Sequence, residues 1–160
     1  MELYELNEMF REEVNAHVKR EWNGPKIVSK GNIYHADHLP GFVAAREGKL
    51  LGAVLYVLRE KECEVAVLFS LEGEQGIATR LLQAVQKVAE ENDCVRIWLI
   101  TTNDNLHAIR FYEKRGFSLC AIHIGAFEIT RTIKFPAENI IIGNHEIPIL
   151  HEIEFEKMIV

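Results

Sequence analysis

Leu6, Phe10, Val14, Val18 and Trp22 recur every four residues with charged positions between them, which is the spacing of one apolar helix face. Asn23-Gly24-Pro25 stops that helix. From 26 to 40 no period is sustained, and the segment reads as a loop or a broken second helix. Gly41 to Arg46 and Lys49 to Leu58 then read as two strands of a hairpin turned by Glu47-Gly48. A third strand, Glu62 to Leu71, follows the charged turn Arg59-Glu60-Lys61. Helical spacing returns at Ile77, Leu81, Val85 and Val88, with Leu82 and Ala89 beside them, and runs to Asn92. Val95 to Ile100 is mostly apolar, as in a parallel strand covered on both faces. Residues 62–71, 76–92 and 95–100 therefore predict a βαβ unit with a right-handed crossover.

A second helix from Asn105 to Arg115 ends on basic residues and Gly116, a favourable C-terminal cap. Phe117 to Ile124 and Ile147 to Phe155 are the closing strands, the latter alternating Ile149, His151, Ile153 and Phe155 against polar neighbours. The piece between them, 125–146, reads as turn-rich and irregular. No repeat, low-complexity tract or break in composition divides the 160 residues, so one domain spanning 1–160 is expected.

Composition narrows the function classes. The chain is 48% hydrophobic and 26% charged, with a formal net charge of −6. That balance argues against a nucleic-acid or anionic-membrane binder, which would present a basic face; it permits a cationic acceptor such as an amine, although a modest negative charge is more often a solubility feature. No secretory signal or membrane-length apolar stretch is found, and the expectation is a cytoplasmic protein. Cys63, Cys94 and Cys120 are far apart with no paired spacing and read as small hydrophobes rather than chemistry.

The most informative segment is Leu71-Glu72-Gly73-Glu74-Gln75-Gly76-Ile77-Ala78-Thr79-Arg80. A strand ends, two glycines follow and a helix begins at once. Amides at a helix N-terminus have no intrahelical acceptor, and the helix dipole places positive charge there. Gly76 and Ala78 keep side chains away, so a diphosphate could lie on those amides, with Arg80 as a charged donor. The plainer reading, glycines that merely permit a tight turn, stays open on this segment alone. A Walker loop needs Lys followed by Ser or Thr, which does not occur in the chain, and the three-glycine spacing of a Rossmann fingerprint is missing.

The second informative stretch is Asn105-x-x-Ala108-x-x-Phe111-Tyr112-Glu113-Lys114-x-Gly116-Phe117. It resembles the second signature of the GCN5-related N-acetyltransferases (GNAT). That family's first signature, Arg/Gln-x-x-Gly-x-Gly/Ala, falls at the same strand-to-helix position as Gly73 to Ala78. Gly73 stands where the family has Arg or Gln, and Ala78 is the tolerated alternative to glycine. The resemblance covers nearly the whole chain. It implies a mixed α/β fold: a mostly antiparallel twisted sheet of six to seven strands with a central parallel βαβ pair and about four helices.

The resemblance further implies acetyl-CoA as co-substrate and an amine, small molecule or peptide, as acceptor; a homodimer is compatible with it. Backbone amides around Gln75, Gly76, Ile77, Ala78 and Thr79 would hold the diphosphate. The backbone near Val67 and Leu68 would pair with the pantetheine arm, Asn105 would hydrogen-bond it, and Tyr112 would lie near the CoA sulfur.

Amine acetylation by a thioester needs a neutral amine, a polarised carbonyl and a protonated leaving thiolate. Tyr112 is the candidate general acid; a core aromatic is its bland alternative. An amide near Leu68 would polarise the carbonyl. Glu64 is the first choice for the base, directly or through water, with Glu62 and Glu72 as alternatives. His35, Asp37 and His38 lie in a loop where lining the acceptor pocket is favoured over binding metal, and no metal is expected. A CoA-binding module without turnover, and a partner-binding protein using a C-terminal strand edge, are the competing functions.

Overall fold

A computed structural model describes residues 1–71 and 76–159. Seven strands share a mostly antiparallel sheet with one parallel pair, and four α-helices accompany it among the described residues. The strands are β1 (Glu2–Glu5), β4 (Gly41–Arg46), β5 (Lys49–Arg59), β6 (Glu62–Ser70), β7 (Arg96–Thr102), β8 (Ser118–His123) and β9 (Glu152–Met158), in the order β1-β4-β5-β6-β7-β9-β8. A separate two-stranded sheet joins β2 (Lys26–Ser29) and β3 (Asn32–His35). The chain divides into two compact units: Met1–Ile27 and Tyr34–Ile97 with the end of the chain from Met158, and Val28–Ile33 with Trp98–Lys157.

In the first unit, helix α1 (Glu8–Glu21) begins at Asn7, whose side chain accepts from the Met9 N–H, and buries Phe10, Val14 and Val18. Those residues pack on Val43, Ala45, Ala53, Leu55, Val67 and Phe69 in one apolar cluster. The Glu47-Gly48 turn has φ of +52° and +78°, the doubly left-handed geometry of a tight hairpin. Helix α2 (Ile77–Glu91) follows β6 and buries Ile77, Leu81, Leu82, Val85 and Ala89, as its periodicity predicts. Gly52 on β5 makes room for the start of that helix. A Cβ there would stand 2.6 Å from the Phe69 carbonyl oxygen and 3.0 Å from Ile77 Cγ2.

In the second unit, β8 pairs antiparallel with β9, Leu119 opposite Phe155 and Ile122 opposite Ile153, with Cys120 bulged between two steps of the ladder. Helix α3 (Leu106–Lys114) buries Tyr112. Helix α4 (Phe127–Lys134) buries Phe127 and Thr130.

Four expectations need correction. Residues 26–35 are a hairpin, not a loop or broken helix. Lys30 and Gly31 have φ of +48° and +79°, a two-residue turn of the type that Asn-Gly usually announces; Lys in the first place hid it. Residues 2–5, not assigned as a strand, pair with β4, Tyr4 opposite Val43. The stretch 125–146 contains α4. Its Ile129, Thr130, Thr132 and Ile133 are β-branched, which lowers helix propensity and blurs the signal.

The last strand begins at Glu152, not Ile147. Asn103 Oδ1 accepts from both Leu150 and His151 N–H at 2.9 Å, and Pro148 has no N–H to give. Hydrogen bonds to a side chain thus replace the ladder just before the strand starts. Cys63 and Cys94 are buried and Cys120 exposed.

Candidate functional site

The first unit carries the strand–turn–helix. Gly76 caps α2 with φ +94° and no side-chain cap, and among the described residues nothing lies within 4 Å of where its Cβ would be. A left-handed φ is open to glycine at little cost. The first intrahelical bond runs from Arg80 N–H to the Gly76 carbonyl at 2.9 Å. The amides of Ile77, Ala78 and Thr79 therefore precede the ladder. No acidic residue lies in the helix's first turn, and the positive end of the dipole is uncompensated by it. Arg80 is exposed and donates at 3.5 Å to the Met1 carbonyl. Gln75, with Gly73 and the alternative base Glu72, lies outside the described residues.

Strand β6, which leads to this turn, breaks step with β5. Leu55 pairs with Val67 but Tyr56 with Val65, so Ala66 is an extra residue. Such a bulge re-aims neighbouring backbone groups. Val67 and Leu68 follow it directly, opposite Leu55 and Val54.

Glu64 precedes the bulge and is 3% exposed. Its Oε1 accepts a hydrogen bond from the Tyr34 hydroxyl at 2.8 Å. Burial and the adjacent carboxylate push the Tyr34 phenol up to about 12. It is therefore a neutral donor throughout the physiological range. Glu62 is differently engaged: Arg96 holds its Oε1 through Nε and Nη2, both at 3.0 Å. The first-choice base is thus buried and held by a hydroxyl, while the alternative is tied in an ion pair.

The second unit carries Asn105 and Tyr112. Asn105 caps α3, its Oδ1 accepting from the Ala108 N–H at 3.1 Å. The predicted pantetheine contact has to come from Nδ2, which has no partner among the described residues. The helix start is braced by buried Asp104, which accepts from Thr102 Oγ1 at 2.5 Å and from Asn144 N–H and Nδ2 at 2.9 and 3.1 Å. Tyr112 packs edge-on against Phe111 and Phe117 and tilted against Phe155. Burial pushes its phenol well above the ordinary value. Its hydroxyl has no hydrogen-bond partner among the described residues.

Sequence reasoning missed Tyr34, which sits in the segment read as a loop, and Asp104, whose partner Asn144 lies forty residues on. Neither partnership leaves a trace in local spacing. His35 and His38 have ring centroids 5.9 Å apart, and His38 Nε2 lies 3.6 Å from Asp37 Oδ2. Among the described residues no group of three or more His, Cys, Asp or Glu could hold a metal ion, and no helix is long and apolar enough to cross a membrane.

The first of the two GNAT-like stretches thus lies at the start of α2 and the second on α3. Residues 3–117 match the Acetyltransferase (GNAT) family, and the chain belongs to that family. It is 37% identical over 154 residues to the uncharacterized protein YdhI of Bacillus subtilis (strain 168), covering 96% of this chain and 95% of that one. Among solved structures, a Bacillus subtilis acetyltransferase in complex with CoA matches with a TM-score of 0.69 at 15% identity, covering 99% of this chain and 97% of the other. A GNAT acetyltransferase from Elizabethkingia anophelis with acetyl-CoA bound matches with the same TM-score and coverage at 13% identity. At these identities the likeness to solved structures is one of fold.

Proposed function

We propose that this protein moves the acetyl group of acetyl-CoA directly to an amine, a small molecule or a peptide terminus, and that residues 1–160 act as one acetyltransferase domain. The observation that carries the reading is Gly76, with no described residue within 4 Å of its Cβ position and followed by amides that precede the α2 ladder. A diphosphate suits it for the reason that anions suit helix N-termini generally. In this reading the backbone amides of Gln75, Gly76, Ile77, Ala78 and Thr79 hold the diphosphate, with Arg80 as a charged donor. Val67 and Leu68 offer backbone to the pantetheine, and Asn105 donates from Nδ2.

Two side chains carry the chemical roles in this reading. Glu64, directly or through water, takes the proton from the acceptor ammonium; its link to Tyr34 leaves one carboxylate oxygen fixed in place. The neutral amine attacks the thioester carbonyl and the carbon–sulfur bond breaks. Tyr112, protonated at neutral pH and kept so by burial, gives its proton to the departing sulfur, which leaves as the CoA thiol, and the proton shed by the newly acylated nitrogen restores the tyrosine. A hydroxyl with no partner among the described residues, on a buried ring, favours this reading over CoA binding without turnover, for which that hydroxyl has no use.

The direct test incubates the protein with acetyl-CoA and a panel of monoamines, polyamines, aminoglycosides, amino acids and peptides, reading released CoA thiol. Thiol release that depends on an amine supports the reading. CoA binding with no release from any class would leave the binding-module alternative.

A further inference from the structure

The outer flank of α1 carries a feature to which acetyl transfer gives no task. A cavity of about 520 Å³ lies between that helix and the facing residues Pro25, Ala36 and Asp37, all within the first unit. Small ligands are held in spaces of this size. The walls are tied to each other without filling the space. Arg11 donates from Nη2 to the Leu39 carbonyl at 2.9 Å and from Nη1 to the Ala36 carbonyl at 3.4 Å. The Ala36 N–H donates to the Pro25 carbonyl at 2.9 Å.

Glu8, Glu12, Asn15 and Lys19 of α1 line this cavity, and steps of three and four residues set them in one row along the helix. Glu8 and Glu12 are like charges one turn apart, an arrangement that repels. Neither they nor Lys19 has an ion-pair partner among the described residues. Asn15 stands between the two ends. Its amide makes no hydrogen bond among the described residues, and its Oδ1 is buried without a partner. A buried amide oxygen is rarely left in that state. The terminal torsion of Asn is broad, so the amide can turn toward the cavity to meet a donor there.

Two carboxylates, an amide and an ammonium in a row match a peptide with free ends that runs in the direction of α1. The amide offers a donor and an acceptor side by side, which the C=O and N–H of a peptide backbone satisfy together. Length agrees as well. Seven residues separate Glu12 from Lys19, about 10 Å of helix rise, and an extended tripeptide spans about 10 Å. Arg11 is engaged by carbonyls, and Asp37, 3.6 Å from His38 Nε2, adds a third carboxylate. Carboxylates therefore outnumber free cations in the lining, and a ligand must bring an ammonium.

We propose that this cavity binds a short peptide with both termini free, its ammonium at Glu8 and Glu12, its backbone on the Asn15 amide and its carboxylate at Lys19. Neither Glu64 nor Gly76 lines the cavity, and the inference does not depend on acetyl transfer. Carboxylates hold a bound amine in its charged form, whereas only a neutral amine attacks a thioester. A peptide seated here is therefore not acetylated at that nitrogen.

The test is a titration of isotope-labelled protein with trialanine, without acetyl-CoA. Saturable shifts are expected at the Asn15 side-chain amide and at the backbone amides of Glu12, Lys19 and Asp37. Affinity should be weak, because exposed ion pairs contribute little. N-Acetyl-trialanine and trialanine amide should each bind several-fold more weakly, since each lacks one terminal charge. In calorimetry Asn15→Ala should weaken trialanine by about tenfold, the worth of two hydrogen bonds. The melting midpoint of that variant should not fall, because the change removes an unpaired oxygen and puts alanine in a helix.

No saturable response in millimolar trialanine overturns the proposal, and so does equal affinity for the capped peptides. A lower midpoint for Asn15→Ala means that the amide is already satisfied and contradicts it too. Trialanine binding that survives Asn15→Ala but is lost in Glu64→Gln puts the peptide at the proposed acceptor site, which also overturns it. With no acetyl-CoA present, these results are independent of turnover. An absence of amine-dependent thiol release refutes the acetyltransferase reading and leaves this inference standing.

Discussion

The Tyr34 hydroxyl donates to Glu64 Oε1 at 2.8 Å, tying the β2–β3 hairpin's second strand to the carboxylate proposed as base. If Glu64 deprotonates the acceptor, Glu64→Gln should flatten the acidic limb of the kcat/KM profile. Tyr34→Phe should shift that limb without abolishing it, because the carboxylate remains and only its fixed donor is lost. A limb untouched by either change would move the role away from Glu64. Glu62, held by Arg96 at 3.0 Å, would then need to be freed to replace it.

Tyr112→Phe keeps the ring that packs against Phe111, Phe117 and Phe155 and removes only the hydroxyl. General acid catalysis contributes typically about 10²–10⁴-fold, so kcat should fall by about 10² or more while acetyl-CoA affinity and the melting midpoint barely change. Turnover equal to wild type would make Tyr112 a packing residue.

Gly76 offers a paired test of the phosphate turn. Gly76→Ala brings the strain of a side chain at φ +94° with no clash against the described residues. Gly76→Asp brings similar strain plus a negative charge. Steady-state kinetics should show the acetyl-CoA KM rising modestly for Ala and steeply for Asp. Equal KM values for the two variants would remove charge, and with it the diphosphate, from this turn.

The legible parts of the sequence were those with a local cause. α2 shows itself through Ile77, Leu81 and Val85 on one face, and the β4–β5 hairpin through Glu47-Gly48. Both glycine-marked motifs pointed to the GNAT family, which the match over residues 3–117 bears out. What stayed hidden depends on partners distant in the chain. The β2–β3 turn uses Lys30 where Asn is usual. The late start of β9 is set by Asn103, 47 and 48 residues before the Leu150 and His151 amides it takes. Tyr34 meets Glu64 across 30 residues. No periodicity records such bonds, because each is a single polar contact rather than a repeated face.

The most direct test of the central claim needs no acceptor. A ligand that binds only the native state adds about 2.7 kcal/mol at a hundredfold excess over its Kd, and each kcal/mol moves the midpoint of a chain this size by roughly 2–4 °C. Thermal melting with and without acetyl-CoA is therefore expected to show a rise of about 5–10 °C. NAD and ATP should do far less, since the chain lacks the Rossmann and Walker spacings, and so should pantetheine, which has no diphosphate for the turn at Gly76. A midpoint that does not move in millimolar acetyl-CoA would contradict the account.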